Sequence, residues 1–311
     1  MKKHTEVRKY IITAALLLVT CTWLFAADGP EVEKRKSYSK SYSVSASDKI
    51  TINNQFGEVK INTWGKSEVK VDVSIIVSGN SDERAQAILD NISIDDSKNS
   101  DGVSFKTNIG KHDNHGDRKN NNSQKMEINY EVSMPAGNPL DLDNQFGKTF
   151  VPDLTGPVEI TQKFGDLVAG NLSNAKELTV EFGSVVAESV NNCKVVIKFS
   201  KAEIKKMGGS IKSTFEYCDK VKLTLNNNTT DFSVNNQFSK IEVSVSSEFN
   251  GDFDIHTNFG EFHNSTPIVI KETKDSDEDH GPKFDKDYSG KSGSGATKVK
   301  IKSSFGTVRF I

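Results

Sequence analysis

The sequence predicts a mostly β fold: a single β-solenoid, parallel β-helix-like, built of about 17–23-residue Phe-Gly rungs, with a small α/β insert near the N-terminus. Three observations predict it. A short phrase recurs around Phe56, Phe146, Phe164, Phe182, Phe199, Phe215, Phe238, Phe259 and Phe305. Four residues before each Phe stands an apolar side chain: Ile52, Leu142, Ile160, Leu178, Val195, Ile211, Val234, Ile255 and Ile301. From Phe146 to Phe259 the steps are 18, 18, 17, 16, 23 and 21 residues.

The phrase has a physical reading. Before the Phe the apolar positions share one parity, so they lie on one face of a strand. After the following residue the parity switches, and Val59, Thr149, Leu167, Val185, Ala202, Cys218, Ile241, Phe262 and Val308 point inward three places on. The residue between is Gly57, Gly147, Gly165, Gly183, Ser200, Glu216, Ser239, Gly260 or Gly306. Glycine tolerates the backbone angles of a corner, so each copy reads as strand, corner, strand. A propeller blade needs about 40–45 residues, whereas a solenoid rung needs about 20. An antiparallel sandwich satisfies the alternation equally well, but not the fixed offsets on both sides of the Phe. The expectation is that the Phe rings form an aromatic stack through the core.

Two places before the Phe the inward parity holds polar residues: Asn54, Asn144, Gln162, Ser213, Asn236, Thr257 and Ser303, with Val180 and Ile197 as exceptions. Buried amides need partners, and a ladder between rungs supplies them. The competing reading is a partly wet position beside the corner.

Residues 1–27 read as a signal peptide. Lys2, Lys3, Arg8 and Lys9 precede the apolar run Tyr10 to Phe25, and Ala26 and Ala27 offer a cleavage site. An uncleaved anchor, or a lipoprotein built on Cys21, is the less favoured alternative. Removing this segment takes four of the 40 basic and one of the 42 acidic residues, leaving 36 and 41, a net charge near −5. That balance argues against nucleic acid as a partner. No later segment is apolar and long enough to span a membrane, and mean hydropathy is −0.51.

Residues 28–46 read as a linker and edge strand, and residues 47–311 as the solenoid domain. Trp64 closes the first copy, packing over a core end or offering a stacking platform. Residues 66–135 form the α/β insert. In it Val69, Val71, Val73 and Ile75 alternate as a strand. Ser81 to Ile92 reads as a helix, with Ser81 as N-cap and Ala85, Ile88, Leu89 and Ile92 as its apolar stripe. Strands follow at Val103 to Thr107 and Met126 to Val132. Covers of this kind are needed because open strand edges invite aggregation. Residues 271–295 read as a polar surface loop before the last rung, Lys298 to Ile311.

Chemistry-bearing motifs are few. His112 and His115 lie in a polar loop without further ligands. Asp275, Asp277 and Asp279 open like a calcium loop, but His280 and Lys286 stand where glycine and a bidentate Glu are needed. Cys193 and Cys218 sit at unequal rung offsets and read as two buried thiols. No catalytic, cofactor or metal residues are assigned.

The chain resembles the putative-adhesin family of bacterial envelope proteins with β-strand repeats. The resemblance covers residues 40–311. It rests on the run Ile52-Asn53-Asn54-Gln55-Phe56-Gly57-Glu58-Val59-Lys60-Ile61 with Trp64, on the helix at 81–92, on Val132-Ser133-Met134-Pro135 and on the later Phe-Gly copies. It implies an exported β-solenoid without known catalytic residues, some members accompanying envelope-stress or sigma-factor regulation. Phe199-Ser200, Phe215-Glu216 and Phe238-Ser239 depart from the pattern. The function expected is therefore a non-enzymatic, exported cell-envelope scaffold, periplasmic or at the cell surface. It would present outward residues such as Gln55, Gln145, Lys163, Glu181, Lys198 and Gln237 to a glycan or protein. The alternatives are an accessory or sensor in envelope-stress signalling and, behind it, a polysaccharide-active enzyme.

Overall fold

A computed structural model describes residues 32–110, 125–273 and 284–311. The signal peptide expected at 1–27, the His112 and His115 loop, and the run Asp275, Asp277, Asp279 and His280 lie outside the described residues. The chain opens with β1 (Val32–Ser43), β2 (Lys49–Gln55), β3 (Val59–Thr63) and β4 (Glu68–Gly79). Helix α1 (Asp82–Asp90) leads to β5 (Ile92–Asn99), β6 (Gly102–Ile109) and β7 (Lys125–Met134). Then come β8 (Leu140–Gln145), β9 (Thr149–Val151), β10 (Leu154–Lys163), β11 (Asp166–Glu181), β12 (Ser184–Asn191) and β13 (Lys194–Lys198). The long β14 (Lys201–Glu216) and β15 (Val221–Gln237) precede β16 (Lys240–Ser244), β17 (Gly251–Asn258) and β18 (Glu261–Asn264). The chain ends with β19 (Ile270–Glu272), β20 (Asp285–Lys291), β21 (Thr297–Ser304) and β22 (Thr307–Phe310).

The fold is mostly β, with one helix among the described residues. Its strands join in one sheet through two parallel ladders. The first ladder holds the strands that lead into an aromatic residue. It runs β2, β8, β10, the second part of β11, β13, and the second parts of β14 and β15, then β21 and β17. The second holds the strands that leave it: β3, β9, then the starts of β11, β12, β14 and β15, then β16, β22 and β18. Period-2 alternation turns Ile52, Leu142, Ile160, Leu178 and Val195 inward from the first ladder. Leu167, Val185, Ala202, Val221 and Ile241 face them from the second, and all are buried in one cluster.

The first copy of the phrase, at residues 49–63, pairs directly with the copy at 140–151 although about 80 residues separate them. The last copy of the phrase departs from chain order. β21 lies between β15 and β17, so Phe305 sits between Phe238 and Phe259.

One end is closed by antiparallel strands. β4 pairs with β1 and β7, and β5 pairs with β6, which adds to β2. Helix α1 covers them with Ala85, Ile88 and Leu89. Ser81 caps it by accepting the Arg84 N–H at 3.2 Å. Tyr38 and Tyr42 of β1 both donate to Asp96 of β5, and these bonds hold its carboxyl below the usual carboxylate range. At the other end β20 runs antiparallel to β17 and β19, within the stretch 271–295 that carries no regular period. No helix among the described residues is long and apolar enough to cross a membrane.

The polar inward row is buried and mostly partnered, Ser213 Oγ and Asn236 Oδ1 being the atoms without a hydrogen bond. Asn54, Asn144, Gln162, Asn236, Thr257 and Ser303 are buried. Asn54 Nδ2 donates to Asn144 Oδ1 at 3.2 Å, and Asn144 Nδ2 donates to Thr149 Oγ1 at 3.1 Å. Thr149 Oγ1 then donates to Gln162 Oε1 at 2.5 Å. In the middle of the row Val180, Ile197 and Phe215 replace the amides. Asn144→Leu keeps the branched outline but strands its partners, so it is expected to cost about 3 kcal/mol of unfolding free energy in urea titration.

The core does not contain the aromatic stack. Phe146, Phe164, Phe182, Phe199, Phe238, Phe259 and Phe305 are each 46–51% exposed, and Phe56 is 36% exposed. The expectation that these rings fill the interior is therefore corrected. The reason is backbone geometry. Each of these residues adopts a left-handed conformation, with φ between 48° and 63°. The corner begins at the Phe itself, and its side chain swings out where strand parity would have taken it in.

The glycine that follows serves a different need from the one its flexibility suggests. A Cβ at Gly147 would lie 1.8 Å from the Gly57 carbonyl oxygen, and one at Gly165 would lie 1.8 Å from that of Gly147. Where glycine follows glycine, successive corners stack backbone on backbone and no side chain fits between. At Ser200 the hydroxyl instead accepts the Gly183 N–H at 3.0 Å and donates to the Lys198 carbonyl at 2.6 Å.

Candidate interaction surface

The left-handed corners build a continuous feature on the outside of the protein. At each corner the aromatic residue's N–H donates to a carbonyl of the neighbouring copy, except at Phe259, which bonds the Phe284 carbonyl at 3.0 Å. Phe146 bonds Lys163 at 3.0 Å, Phe164 bonds Glu181 at 2.9 Å, and Phe199 bonds Glu216 at 2.9 Å. These bonds fix the corners in line at the strand spacing. The rings then stack face to face from Phe56 through Phe146, Phe164, Phe182, Phe199, Tyr217, Phe238 and Phe305 to Phe259. Centroids lie 4.8–5.1 Å apart and planes differ by 1–8°. Phe284 closes the column on Phe259 at 4.4 Å.

Tyr217, not Phe215, belongs to the column. Phe215 is fully buried in the row of Ile197 and Asn236, and Tyr217 is 51% exposed at φ 54°. The inward residues of this copy shift with it. Ser213 pairs with Val195 in the place expected for Ile211, Cys218 takes the glycine position, and Val221 takes the place expected for Cys218. The signal was in the sequence: Tyr217 lies 18 residues after Phe199, the same step as the earlier copies, whereas Phe215 breaks it at 16. Anchoring on Phe alone hid it.

The column is large. Eight steps of 4.8–5.1 Å set its first and ninth rings roughly 40 Å apart. At about 200 Å² per aromatic side chain, half exposure leaves on the order of 800 Å² of apolar surface in one ridge. The largest apolar patch of an ordinary monomer is about 300–600 Å². Left-handed backbone costs a bulky residue roughly 1–2 kcal/mol, and stacking returns about 0.5–1.5 kcal/mol per pair. The two nearly cancel, so what each ring adds to folding is its half-burial, about 1 kcal/mol, well below the roughly 3–5 kcal/mol of a core ring.

The chemistry of the ridge is directional. Every inner ring has both faces covered by its neighbours, so only ring edges meet solvent. Beside the rings runs a row of polar residues in register: Gln55, Gln145, Lys163, Glu181, Lys198, Glu216 and Gln237. Lys163 pairs with Glu181 at 3.3 Å and Lys198 with Glu216 at 3.0 Å. On the other flank a cavity of about 290 Å³ is lined by Phe199, Ser200, Lys201, Tyr217 and Asp219.

A second feature lies on the outward face of the first ladder. There Lys194, Lys212, Lys300 and Lys302 surround Thr214, Ser233 and Asn235 in a shallow cavity of about 360 Å³. Lys194 is paired with Glu177 at 3.0 Å and Lys300 with Asp254 at 3.7 Å. Among the described residues no ion pair engages Lys212 or Lys302.

Other singled-out residues lie apart from both features. Trp64 is half-buried, donates its indole N–H to the Glu68 carbonyl at 2.7 Å, and lies under the Lys66 ammonium at 4.6 Å. Cys193 and Cys218 are free and buried, and burial pushes the Cys193 thiol up to about 12. Burial raises Cys218 as well, so neither is a thiolate nucleophile at neutral pH. Among the described residues no group of three or more His, Cys, Asp or Glu is placed to hold a metal.

No family model matches the sequence, and neither does any curated protein. Among solved structures, a putative adhesin from Bacteroides fragilis is 14% identical with a TM-score of 0.37, over 89% of this chain and 97% of that one. A putative adhesin from Parabacteroides merdae is 8% identical with a TM-score of 0.34, over 89% and 96%. A putative lipid binding protein from Parabacteroides distasonis is 11% identical with a TM-score of 0.34, over 89% and 97%. The chain is thus similar to bacterial proteins of adhesive or lipid-binding name along most of its length, at low identity and low score.

Proposed function

We propose that this chain is a non-catalytic binding scaffold of the cell envelope that meets a protein partner along its aromatic ridge. The observation that carries the reading is the column of nine stacked rings, most of them half exposed and all held in left-handed backbone. Two parallel ladders at one strand spacing support a β-solenoid as the scaffold, with each copy of the phrase as one rung. Export to the periplasm or cell surface follows from the basic and apolar N-terminal segment. Sugar rings are recognised by stacking on open aromatic faces. Along this column the faces are already taken, which favours an apolar protein surface over a glycan.

The test is capture of partners by the purified chain and by Phe164→Asn/Phe182→Asn/Phe199→Asn. Asparagine tolerates the left-handed angles, so the corners survive while the rings go. A partner held by the native chain and lost by the variant is expected, whereas one retained equally by both would sink the reading. An envelope-stress regulator among the captured proteins would identify the accessory role.

The glycan reading rests on the lysine cavity, where Lys212 and Lys302, without an ion pair among the described residues, fit an acidic sugar. Binding on an acidic-glycan array that disappears with Lys212→Glu/Lys302→Glu would favour it.

A further inference from the structure

We propose that the partner on the ridge is a second copy of this chain, laid antiparallel, ridge on ridge. This rests on the reading of the ridge as an interaction surface and names what covers it. The first argument is area. The ridge offers on the order of 800 Å² of apolar surface, which is what each partner of a standard protein–protein interface buries. An edge-on aromatic surface is also its own complement, since ring edges of one copy settle between those of another.

The second argument is charge, and it fixes the arrangement. The row beside the rings reads Gln145, Lys163, Glu181, Lys198, Glu216, Gln237 in strand register. A two-fold axis across the row, midway between Glu181 and Lys198, sets Lys163 opposite Glu216 of the second copy. It sets Glu181 opposite Lys198 of the second copy, and Gln145 opposite Gln237. Every charged position of the row meets its opposite. A slip of one strand in either direction puts Lys198 against Lys198 or Glu181 against Glu181, so the wrong registers repel. The other flank counts against this register at one point, where the same axis opposes Lys148 to Lys240, and the four Lys–Glu pairs of the row outweigh it. The Lys/Glu row therefore sets the register and the rings supply the affinity. Around this axis eight rings of each copy overlap, from Phe56 to Phe305 in column order.

Sedimentation equilibrium at micromolar concentration tests this. The native chain is expected at the mass of two chains. The acidic variant Lys163→Glu/Lys198→Glu and the basic variant Glu181→Lys/Glu216→Lys are each expected at the mass of one. An equimolar mixture of the two is expected to return to two chains, because each now complements the other. The fourfold reversal restores the alternation and is expected to dimerise, and circular dichroism checks that every variant is folded. A native chain at the mass of one, variants that stay at the mass of two, or a mixture that stays at the mass of one would each overturn the antiparallel dimer. The two readings fail differently. A native chain at the mass of one whose captured partner is lost with the three-ring replacement removes the second copy and keeps the ridge. A two-chain mass indifferent to both charge and ring replacement removes the ridge as well.

Discussion

Replacing Gly165 by alanine is expected to lower the unfolding free energy by about 3 kcal/mol or more in urea titration. The added Cβ would lie 1.8 Å from the Gly147 carbonyl oxygen and 2.9 Å from Gln162 Nε2. Neither neighbour is free to yield. The Gly147 carbonyl accepts from Gln162 at 2.9 Å, and the Gly165 carbonyl accepts from Ser184 N–H at 3.4 Å. Making room means parting two stacked corners, which opens the ladder bonds on both sides and strips the buried amide of Gln162 of its acceptor. Gly65→Ala is the matched control. Nothing lies within 4 Å of a Cβ there, so its change is expected to stay within about 0.5 kcal/mol. Equal effects at the two glycines would mean that the corners are not in backbone contact.

Phe215→Ala is expected to cost about 3–5 kcal/mol by the same measurement, the toll of emptying a packed site of an aromatic ring. Phe215 is fully buried between Ile197 and Asn236 in the inward row. It sits where the apolar stretch Val180, Ile197 and Phe215 interrupts the inward amides, with Asn236 as its neighbour on one side. A loss below about 1 kcal/mol would place this ring outside the core, with the exposed column.

The two experiments bear on what was legible in the sequence. Strand alternation was legible, because pleating writes it as a period of two: Leu178, Val180, Val185 and Ala187 are all buried as that period requires. The helix was legible from Ser81 and from Ala85, Ile88 and Leu89, since caps and 3.6-residue periodicity are local, but Ile92, expected in its stripe, opens β5 instead. The amide row was legible as polar residues at an inward position. The direction of the Phe side chains was not. Parity counts faces only while φ stays negative, and one left-handed residue per copy reverses the count without any change in composition. A bulky side chain in that conformation is uncommon enough that the following glycine drew the assignment instead. The place of β21 between β15 and β17 was hidden for another reason. Parallel pairing is non-local, and nothing in residues 297–304 records which strands will flank them. The Lys/Glu row was visible as scattered outward charges, but its two-fold pattern requires the register and the inclusion of Glu216.

The claim on which the rest turns is that the ring column stands outside the core and serves contact more than folding. Its most direct test is the unfolding free energy of Phe164→Asn/Phe182→Asn/Phe199→Asn against the native chain at equal concentration. Lost half-burial and stacking, offset by relief of the left-handed backbone, amount to about 1 kcal/mol per ring. The account predicts a loss near 3 kcal/mol with the folded spectrum intact. A loss of about 9 kcal/mol or more, the toll of three core rings, would contradict it.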